Sequence, residues 1–154
     1  MDPKENLDQE IRELLESQKL AVLATQGQGQ PYTSLVAFAS SPDLQEIYFA
    51  TSRSTRKYEN VTANPKVSLL VDNRSNDVSD FHLAKAATAL GEVREADDPE
   101  RQHIARLFLT KHPHLDDFVQ SPTSALLRVR VKTYYLVSSF QKVRVLHMDL
   151  NQHI

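Results

Sequence analysis

Hydroxyl and cationic side chains concentrate in residues 51–57, which run Thr-Ser-Arg-Ser-Thr-Arg-Lys. We predict a strand before this segment and a helix beginning inside it, with Ser52 or Ser54 as its cap. Free N–H groups and the dipole at a helix start favour an anion. Arg56 and Lys57 in the first turn oppose that dipole by about 0.3–1 kcal/mol each. A bound phosphate resolves this conflict, since Arg grips it with two hydrogen bonds and Lys acts as a point charge. The alternative is that both are solvated surface residues.

The composition limits the class of protein to which this segment belongs. The chain has 154 residues, a net charge of −2 and no cysteine. Its length predicts a single domain, residues 1–154. Nucleic-acid binders are usually basic, so we expect no nucleic-acid partner. Disulfides, thiolate metal sites and cysteine nucleophiles are excluded. With 3 glycines in the whole chain, a glycine-rich phosphate loop is also excluded.

The sequence shows no targeting signal. Residues 1–16 are charged and lack the apolar core of a signal peptide. No apolar run approaches the ~20 residues that a membrane span needs. We therefore expect a cytoplasmic protein without a membrane partner.

Apolar spacing predicts the elements that position the polar segment. Leu7, Ile11 and Leu14 recur at helical spacing, so a helix should end near Gln18. Short β-forming runs, separated by turns, predict strands over 20–25, 31–39, 46–51, 66–71, 125–137 and 143–148. Helices are predicted over 52–63 and from 97 to 112. Because the strands come in hairpins, we expect an α+β fold with a six- to seven-stranded, mainly antiparallel β-barrel and about three flanking helices.

Residues 83–94 and the predicted strand 125–137 each carry two kinds of signal. In residues 83–94 the alanines favour helix, whereas Thr88, Leu90 and Val93 around Gly91 favour a strand with a bulge. The strand 125–137 alternates apolar residues with cations, which predicts one buried face and one solvated face. We expect the cations on the solvated face, which are Arg128, Arg130 and Lys132.

The histidines and aromatic residues predict no separate chemical site. His112, Pro113 and His114 are interpreted as a helix end followed by a polar loop, because the proline spoils helical ligand spacing. We therefore predict no metal site. Tyr134, Tyr135 and Phe140 either pack in the core or stack on a ligand or a partner subunit.

Residues 48–71 resemble the core signature of the pyridoxamine 5'-phosphate oxidase-like flavoproteins. That signature has an aromatic strand ending in Thr, then Ser/Thr-Arg-Lys at a helix start, then Asn-Pro and a strand of the type VSLLF. The corresponding residues here are Thr51, Thr55-Arg56-Lys57, Asn64-Pro65 and Val67–Val71. The preceding hairpin, residues 30–39, resembles the family's strand as well. The resemblance also favours a strand over 83–94.

The resemblance implies a split-barrel homodimer with FMN at the subunit interface. It assigns Arg56 and Lys57 to the FMN phosphate, with the hydroxyl of Thr55 beside them. It places Ala50 and Thr51 beside the ribityl chain or ring. It places a four-residue stretch along the isoalloxazine edge, largely through backbone groups: Ser34, Leu35, Val36 and Ala37. The partner chain is expected to close the site with residues from 80–89 or 140–144.

Other positions depart from the family pattern. The oxidase has a basic residue at Ser34, a Lys at Ala39 and a C-terminal substrate motif with Trp, and this chain has no Trp. The substrate is therefore expected to be something other than pyridoxamine phosphate. We expect an FMN-dependent oxidoreductase of unknown substrate and name no catalytic residue. The alternatives are a flavin or haem module without turnover and a haem-degrading protein with His147 or His153 as ligand.

Overall fold

The computed structural model describes residues 2–139 and 141–148. Within them, the chain forms five α-helices, one 3-10 helix (Pro113–Leu115) and seven strands. The strands are β1 Leu20–Gly27, β2 Gln30–Ser40, β3 Glu46–Ser52, β4 Lys66–Asp72, β5 Ala86–Glu95, β6 Ser124–Ser138 and β7 Lys142–His147. The helices are α1 Pro3–Ser17, α2 Arg56–Ala63, α3 Asp80–Leu83, α4 Asp98–Lys111 and α5 Asp116–Gln120.

The seven strands form one antiparallel sheet, six strands of which close into a barrel. The strand order is β3-β2-β1-β4-β5-β6-β7, and the additional pairing of β3 with β6 joins the two ends of the six-stranded part. β7 continues the sheet beyond β6 and lies outside the barrel. This architecture confirms the predicted α+β class and the predicted six or seven antiparallel strands.

The barrel interior is the main core. Alternate residues of each strand point inward, and Leu23, Phe38, Phe49 and Leu69 are fully buried there. Full burial of such a side chain stabilises the fold by about 1.5–3 kcal/mol. α1 adds its buried face at the end of the barrel where β1 begins, through Leu7, Ile11, Leu14 and Leu15.

α2 closes the opposite end of the barrel, where β1 finishes. The amide of Asn60 donates a 3.0 Å hydrogen bond to the hydroxyl of Thr25. Gly27 allows this close approach, since a Cβ there would lie 2.6 Å from the Asn60 amide oxygen. The rest of the β1–β2 turn sits in solvent. The buried hydrogen bond between Asn60 and Thr25 therefore fixes α2 to the barrel, and the absence of a side chain at Gly27 leaves room for it.

The ambiguous segment is a strand, β5, as the resemblance favoured. Its pairing with β6 shifts by one residue between Leu90 and Gly91, which is the predicted bulge. A Cβ on Gly91 would lie 2.3 Å from the Arg130 carbonyl oxygen. Glycine is thus required at this position by backbone proximity.

The interpretation of residues 112–120 as a helix end and polar loop is partly wrong. α4 ends as predicted, but α5 follows it and buries Val119 against α4. His112 is 1% exposed, and its Nε2 lies 2.7 Å from the Phe38 carbonyl oxygen. A carbonyl oxygen accepts hydrogen bonds, so Nε2 carries the proton. Five residues are too few for a helical period to show in sequence.

The expected solvated face of β6 is also wrong at one position. Arg130 and Lys132 are exposed, as predicted. Arg128 has a side chain only 17% exposed and pairs with Glu46 and Glu100. Helix α4 covers this part of the strand and brings the carboxylate of Glu100 with it. Tyr134 is buried and donates to the Leu44 carbonyl, whereas Phe140 lies outside the described residues.

Among the described residues, no helix combines the length and apolar character needed to cross a membrane.

Candidate functional site

Thr55 caps the helix that follows β3. Its hydroxyl oxygen accepts a 3.3 Å hydrogen bond from the N–H of Tyr58 and donates a 3.0 Å bond to the Ser52 carbonyl. The hydroxyl of Thr51, which is buried, lies 2.9 Å away. The expected caps, Ser52 and Ser54, instead contact each other at 2.9 Å. Helix α2 begins at Arg56 and not at Ser52 as predicted, because the Thr55 hydroxyl bonds to the Ser52 carbonyl and caps the first turn.

This capping arrangement assigns roles to the two threonines. One hydroxyl offers one donor and two acceptor sites. The Thr55 hydroxyl donates to the Ser52 carbonyl, accepts from the N–H of Tyr58 and lies within hydrogen-bond distance of the Thr51 hydroxyl. It therefore serves the segment by holding the helix start, and Thr51 supports it from inside the barrel wall.

Arg56 and Lys57 are the first two residues of α2. The helix geometry leaves their backbone N–H groups without an intrahelical partner. Arg56 is exposed, with its guanidinium carbon 5.9 Å from the centre of the Tyr32 ring, and Lys57 is half-buried. Within residues 2–139 and 141–148, neither side chain forms an ion pair. Two cations and two free N–H groups thus share one helix end.

The neighbouring cation, Arg53, is not available in the same way. Its guanidinium pairs with Glu95 at 2.6 Å and donates to the Pro122 carbonyl at 3.0 Å. The polar segment therefore divides into one arginine held by the protein and two cations without an ion-pair partner among the described residues. The sequence alone did not distinguish them, because Glu95 lies at the end of β5 and carries no local signal.

The four predicted residues of β2 alternate between the two faces of the barrel wall. Val36 is 4% exposed and lies in the core, whereas Leu35 is 64% exposed. The Ser34 hydroxyl oxygen is buried and has no hydrogen-bond partner among the described residues. Ala37 is half-buried on the outer face. Only Leu35 and Ala37 therefore offer side chains to a ligand outside the barrel.

One edge of β2 is open beside these residues. β2 pairs with β1 along residues 30–37, but its register with β3 covers only residues 38–40. Phe38 donates its N–H to the Lys19 carbonyl, toward β1. Residues of opposite parity direct their N–H and C=O groups to the other edge. The backbone groups of Leu35 and Ala37 thus line the gap between β2 and β3.

Ala50 faces Ala37 across this gap. In the β2–β3 register Phe38 opposes Phe49, and continuing this register by one residue sets Ala37 opposite Ala50. Both alanines are half-buried beside the α4 cluster. Two methyl side chains leave a shallow floor that a planar ring can approach closely. The gap therefore combines fixed backbone donors and acceptors with a flat apolar floor, next to the cationic helix end.

An apolar row crosses the outer face of the sheet from this gap. Consecutive cross-strand partners on β2, β1, β4, β5, β6 and β7 form it. We name it the outer row, and its members are Leu35, Val22, Leu70, Thr88, Tyr135 and Val145. With strands about 4.8 Å apart, the row is about 24 Å long. Leu35 and Val145, at its two ends, are exposed.

Histidines do not form a second centre in the described part of the chain. No group of three or more His, Asp or Glu side chains there is arranged to hold a metal ion. His112 is buried, and desolvation lowers its pKa below the ordinary value. His147 is exposed, with its Nδ1 3.4 Å from the Thr133 hydroxyl. His153 lies outside the described residues.

The fold matches known proteins along most of its length. A family model described as Pyridoxamine 5'-phosphate oxidase matches residues 7–138. A Pyridoxamine 5'-phosphate oxidase homolog from Schizosaccharomyces pombe is 33% identical over 79 residues, which cover 46% of this chain and 42% of that protein.

Two solved structures share the architecture. One is a heme binding protein from Mycobacterium smegmatis (TM-score 0.81, 16% identity), matched over 90% of this chain and 56% of that one. The other is a fad-binding protein from Mesorhizobium loti (TM-score 0.67, 22% identity), matched over 83% and 90%. At these identities the likeness concerns the fold. The chain spans less than two thirds of both the yeast relative and the heme binding protein. Because the family model covers residues 7–138, this chain belongs to the pyridoxamine 5'-phosphate oxidase-like split-barrel family.

Proposed function

We propose that this protein binds FMN and acts as an FMN-dependent oxidoreductase. The observation that carries the proposal is the pair of cations at the start of α2, Arg56 and Lys57, which lack carboxylate partners within the described residues. They oppose the helix dipole, and a dianion is the ligand that removes this cost. The resemblance described above assigns both cations to the FMN phosphate.

The remaining site residues fit the rest of this cofactor. Arg56 and Lys57 hold the phosphate together with their free backbone N–H groups. The open edge at Leu35 and Ala37 supplies fixed hydrogen-bonding groups for the ring edge. Ala37 and Ala50 provide its floor. When bound, FMN supplies the acceptor for a hydride or electrons, and the protein supplies binding, orientation and electrostatics.

The substrate in this proposal is not pyridoxamine phosphate. The oxidase lysine corresponds to Ala39, which is 4% exposed and packs beneath α4. A lysine at that position would be buried among apolar residues. Ser34, where the oxidase has a basic residue, has a buried hydroxyl. Neither position is equipped to bind a second phosphate.

We propose further that the protein is a homodimer whose partner covers the outer row. Apolar side chains that are exposed or half-buried on one face of a sheet are typical of an interaction site. Three more apolar side chains are exposed on the segment that joins β4 and β5, two strands of this row: Val78, Phe81 and Leu83. The Asp80 carboxylate accepts backbone hydrogen bonds from Ser75, Asn76 and Asp77, which fixes this segment before any partner binds.

Oligomeric state tests the dimer directly. Val145→Arg places a charge at an exposed end of the outer row and should give a monomer by analytical ultracentrifugation, with loss of FMN. Phe118→Arg, at an exposed apolar residue of α5, is the matched control and should leave the dimer intact. A monomeric variant that still holds FMN would contradict the interface model.

Haem binding is the second candidate, and His147 is the observation that favours it. This histidine borders a surface hollow of about 500 Å³ whose lining includes Leu7, Val145 and Leu146. An exposed imidazole beside apolar side chains is suited to an axial ligand. A haem titration tests it, because a Soret band that is unchanged in His147→Ala excludes this ligand.

A visible absorption spectrum of the purified protein, with mass spectrometry of the material released by heat, tests the first proposal. Flavin bands and the mass of FMN support it, and NADH or NADPH can then be tried as reductants. A colourless protein that takes up no added FMN refutes it.

A further inference from the structure

We propose that Glu95 is a positioning residue for the phosphate of FMN, acting by clamping the residues on either side of the Thr55–Lys57 turn. This inference rests on the proposed function. Glu95 itself does not contact the ligand in this arrangement. It acts through Arg53 before the turn and Tyr58 after it.

The two carboxylate oxygens of Glu95 bind different partners. Oε2 accepts a 2.6 Å hydrogen bond from Nη2 of Arg53, and Oε1 accepts a 2.8 Å bond from the hydroxyl of Tyr58. Arg53 and Tyr58 belong to one segment, whereas Glu95 ends a distant strand, β5. One carboxylate therefore fixes the residues on both sides of the Thr55–Lys57 turn.

Arg53 also anchors the segment to the chain before β6. Its Nη1 donates to the Pro122 carbonyl at 3.0 Å, and its backbone N–H donates to the Thr123 carbonyl at 3.0 Å. The loop from β3 to α2 is thus tied to two other parts of the barrel. The tie at Glu95 is the one that reaches Tyr58, the residue directly after Lys57.

The clamp also divides the charges of the segment. Glu95 neutralises Arg53, so Arg56 and Lys57 are left as the cations for a ligand. Burial tends to raise the pKa of Glu95, but the hydrogen bonds from Arg53 and Tyr58 outweigh it and hold that pKa below its usual range. The clamp is therefore ionised at neutral pH.

Stability alone gives little reason for this pair. The side chains of Arg53 and Glu95 are 38% and 34% exposed, and ion pairs at that exposure contribute little to folding. The ion pair matters more for the geometry of the Thr55–Lys57 turn, because charge-assisted hydrogen bonds to phosphate require correct distance and orientation.

Glu95→Gln tests the clamp in the full-length protein. FMN and riboflavin are titrated by fluorescence, since the two differ by the phosphate. We expect FMN affinity to fall about tenfold and riboflavin affinity to stay within about twofold. Glu92→Gln is the matched control, since Glu92 lies on the same strand and pairs with Lys132. Tyr58→Phe, a milder change, should weaken FMN about threefold.

A double-mutant cycle separates positioning from general destabilisation. If Glu95 acts through the cationic turn, Glu95→Gln should change FMN affinity by less than about twofold in a protein that already lacks the Arg56 and Lys57 side chains. Equal losses for FMN and riboflavin, or an unchanged or higher FMN affinity in Glu95→Gln, would overturn the clamp while leaving FMN binding intact. A wild-type protein that binds no FMN refutes the proposed function, and the clamp with it.

Discussion

Replacing both Arg56 and Lys57 by alanine is expected to change ligand-free stability and FMN affinity in opposite directions. In the ligand-free protein, each of these cations opposes the dipole of α2 at a cost of about 0.3 kcal/mol. Removing both should raise the free energy of unfolding by about 0.6 kcal/mol. For a chain of this size the Tm then rises by about 1–2 °C.

In the bound protein the same substitutions remove two charged partners of the phosphate. Hydrogen bonds to charged groups contribute about 1.5–3 kcal/mol each, and the lower value suits exposed side chains. A loss of about 3 kcal/mol weakens FMN binding about 150-fold. With FMN at 100 times the wild-type Kd, ligand stabilisation falls from about 2.7 to about 0.3 kcal/mol. The FMN-induced Tm shift should fall from about 5–10 °C to about 1 °C.

Thermal unfolding with and without FMN measures both effects in one experiment, and riboflavin serves as the ligand without phosphate. Arg106→Ala with Lys66→Ala is the matched control, because it removes the same charges from exposed positions on α4 and β4, away from the start of α2. A double variant that keeps the full FMN shift would refute the phosphate assignment. So would an equal loss of the riboflavin and FMN shifts.

Three further predictions concern stability. A hydrogen bond from Arg144 is the largest influence that lowers the pKa of Glu10 from its ordinary 4.5 to about 2. The ionised Glu10 therefore stabilises the fold above pH 4.5, and this stabilisation is lost toward pH 2. Urea unfolding should show the free energies of unfolding of wild type and Glu10→Gln converging at low pH, and a difference that stays constant with pH would contradict this. Desolvation lowers the pKa of His112 below its ordinary 6.5, so wild-type stability should fall as pH drops below 6.5, and persistence of that fall in His112→Asn would contradict the assignment. Gly91→Ala brings a Cβ to 2.3 Å from the Arg130 carbonyl and should lower stability by at least about 2 kcal/mol; an unchanged Tm would contradict the bulge geometry.

Much of the fold could be predicted because the strands carry their own pattern. The alternation at Leu127, Val129 and Val131 indicates a strand with one buried face, and the structure has that face in the barrel. Asp97 and Pro99 predict the start of α4, and the structure shows the capping box there. These signals are local, so no tertiary contact is needed to interpret them.

The candidate site could be predicted in part. Residue types at 55–57 predict an anion site, because cations at a helix start oppose its dipole, and this assignment stays a prediction. The structure does test the helix cap. The cap was assigned to Ser52 or Ser54 and is Thr55, since the buried Thr51 hydroxyl and the Ser52 carbonyl turn the loop onto it. Which of several adjacent hydroxyls caps a helix depends on where the preceding strand ends.

From the sequence alone follow the fold class, the order of the strands and of the three longest helices, and the unusual cations at the start of α2. Hydrophobic period, turn residues and capping preferences act over a few neighbouring residues, so they can be recognised in the sequence. Three features required the folded structure: Arg53 is held by Glu95, β2 has an open edge beside Ala37, and His112 is buried. Each of these depends on barrel closure, which brings together residues that are far apart in the chain.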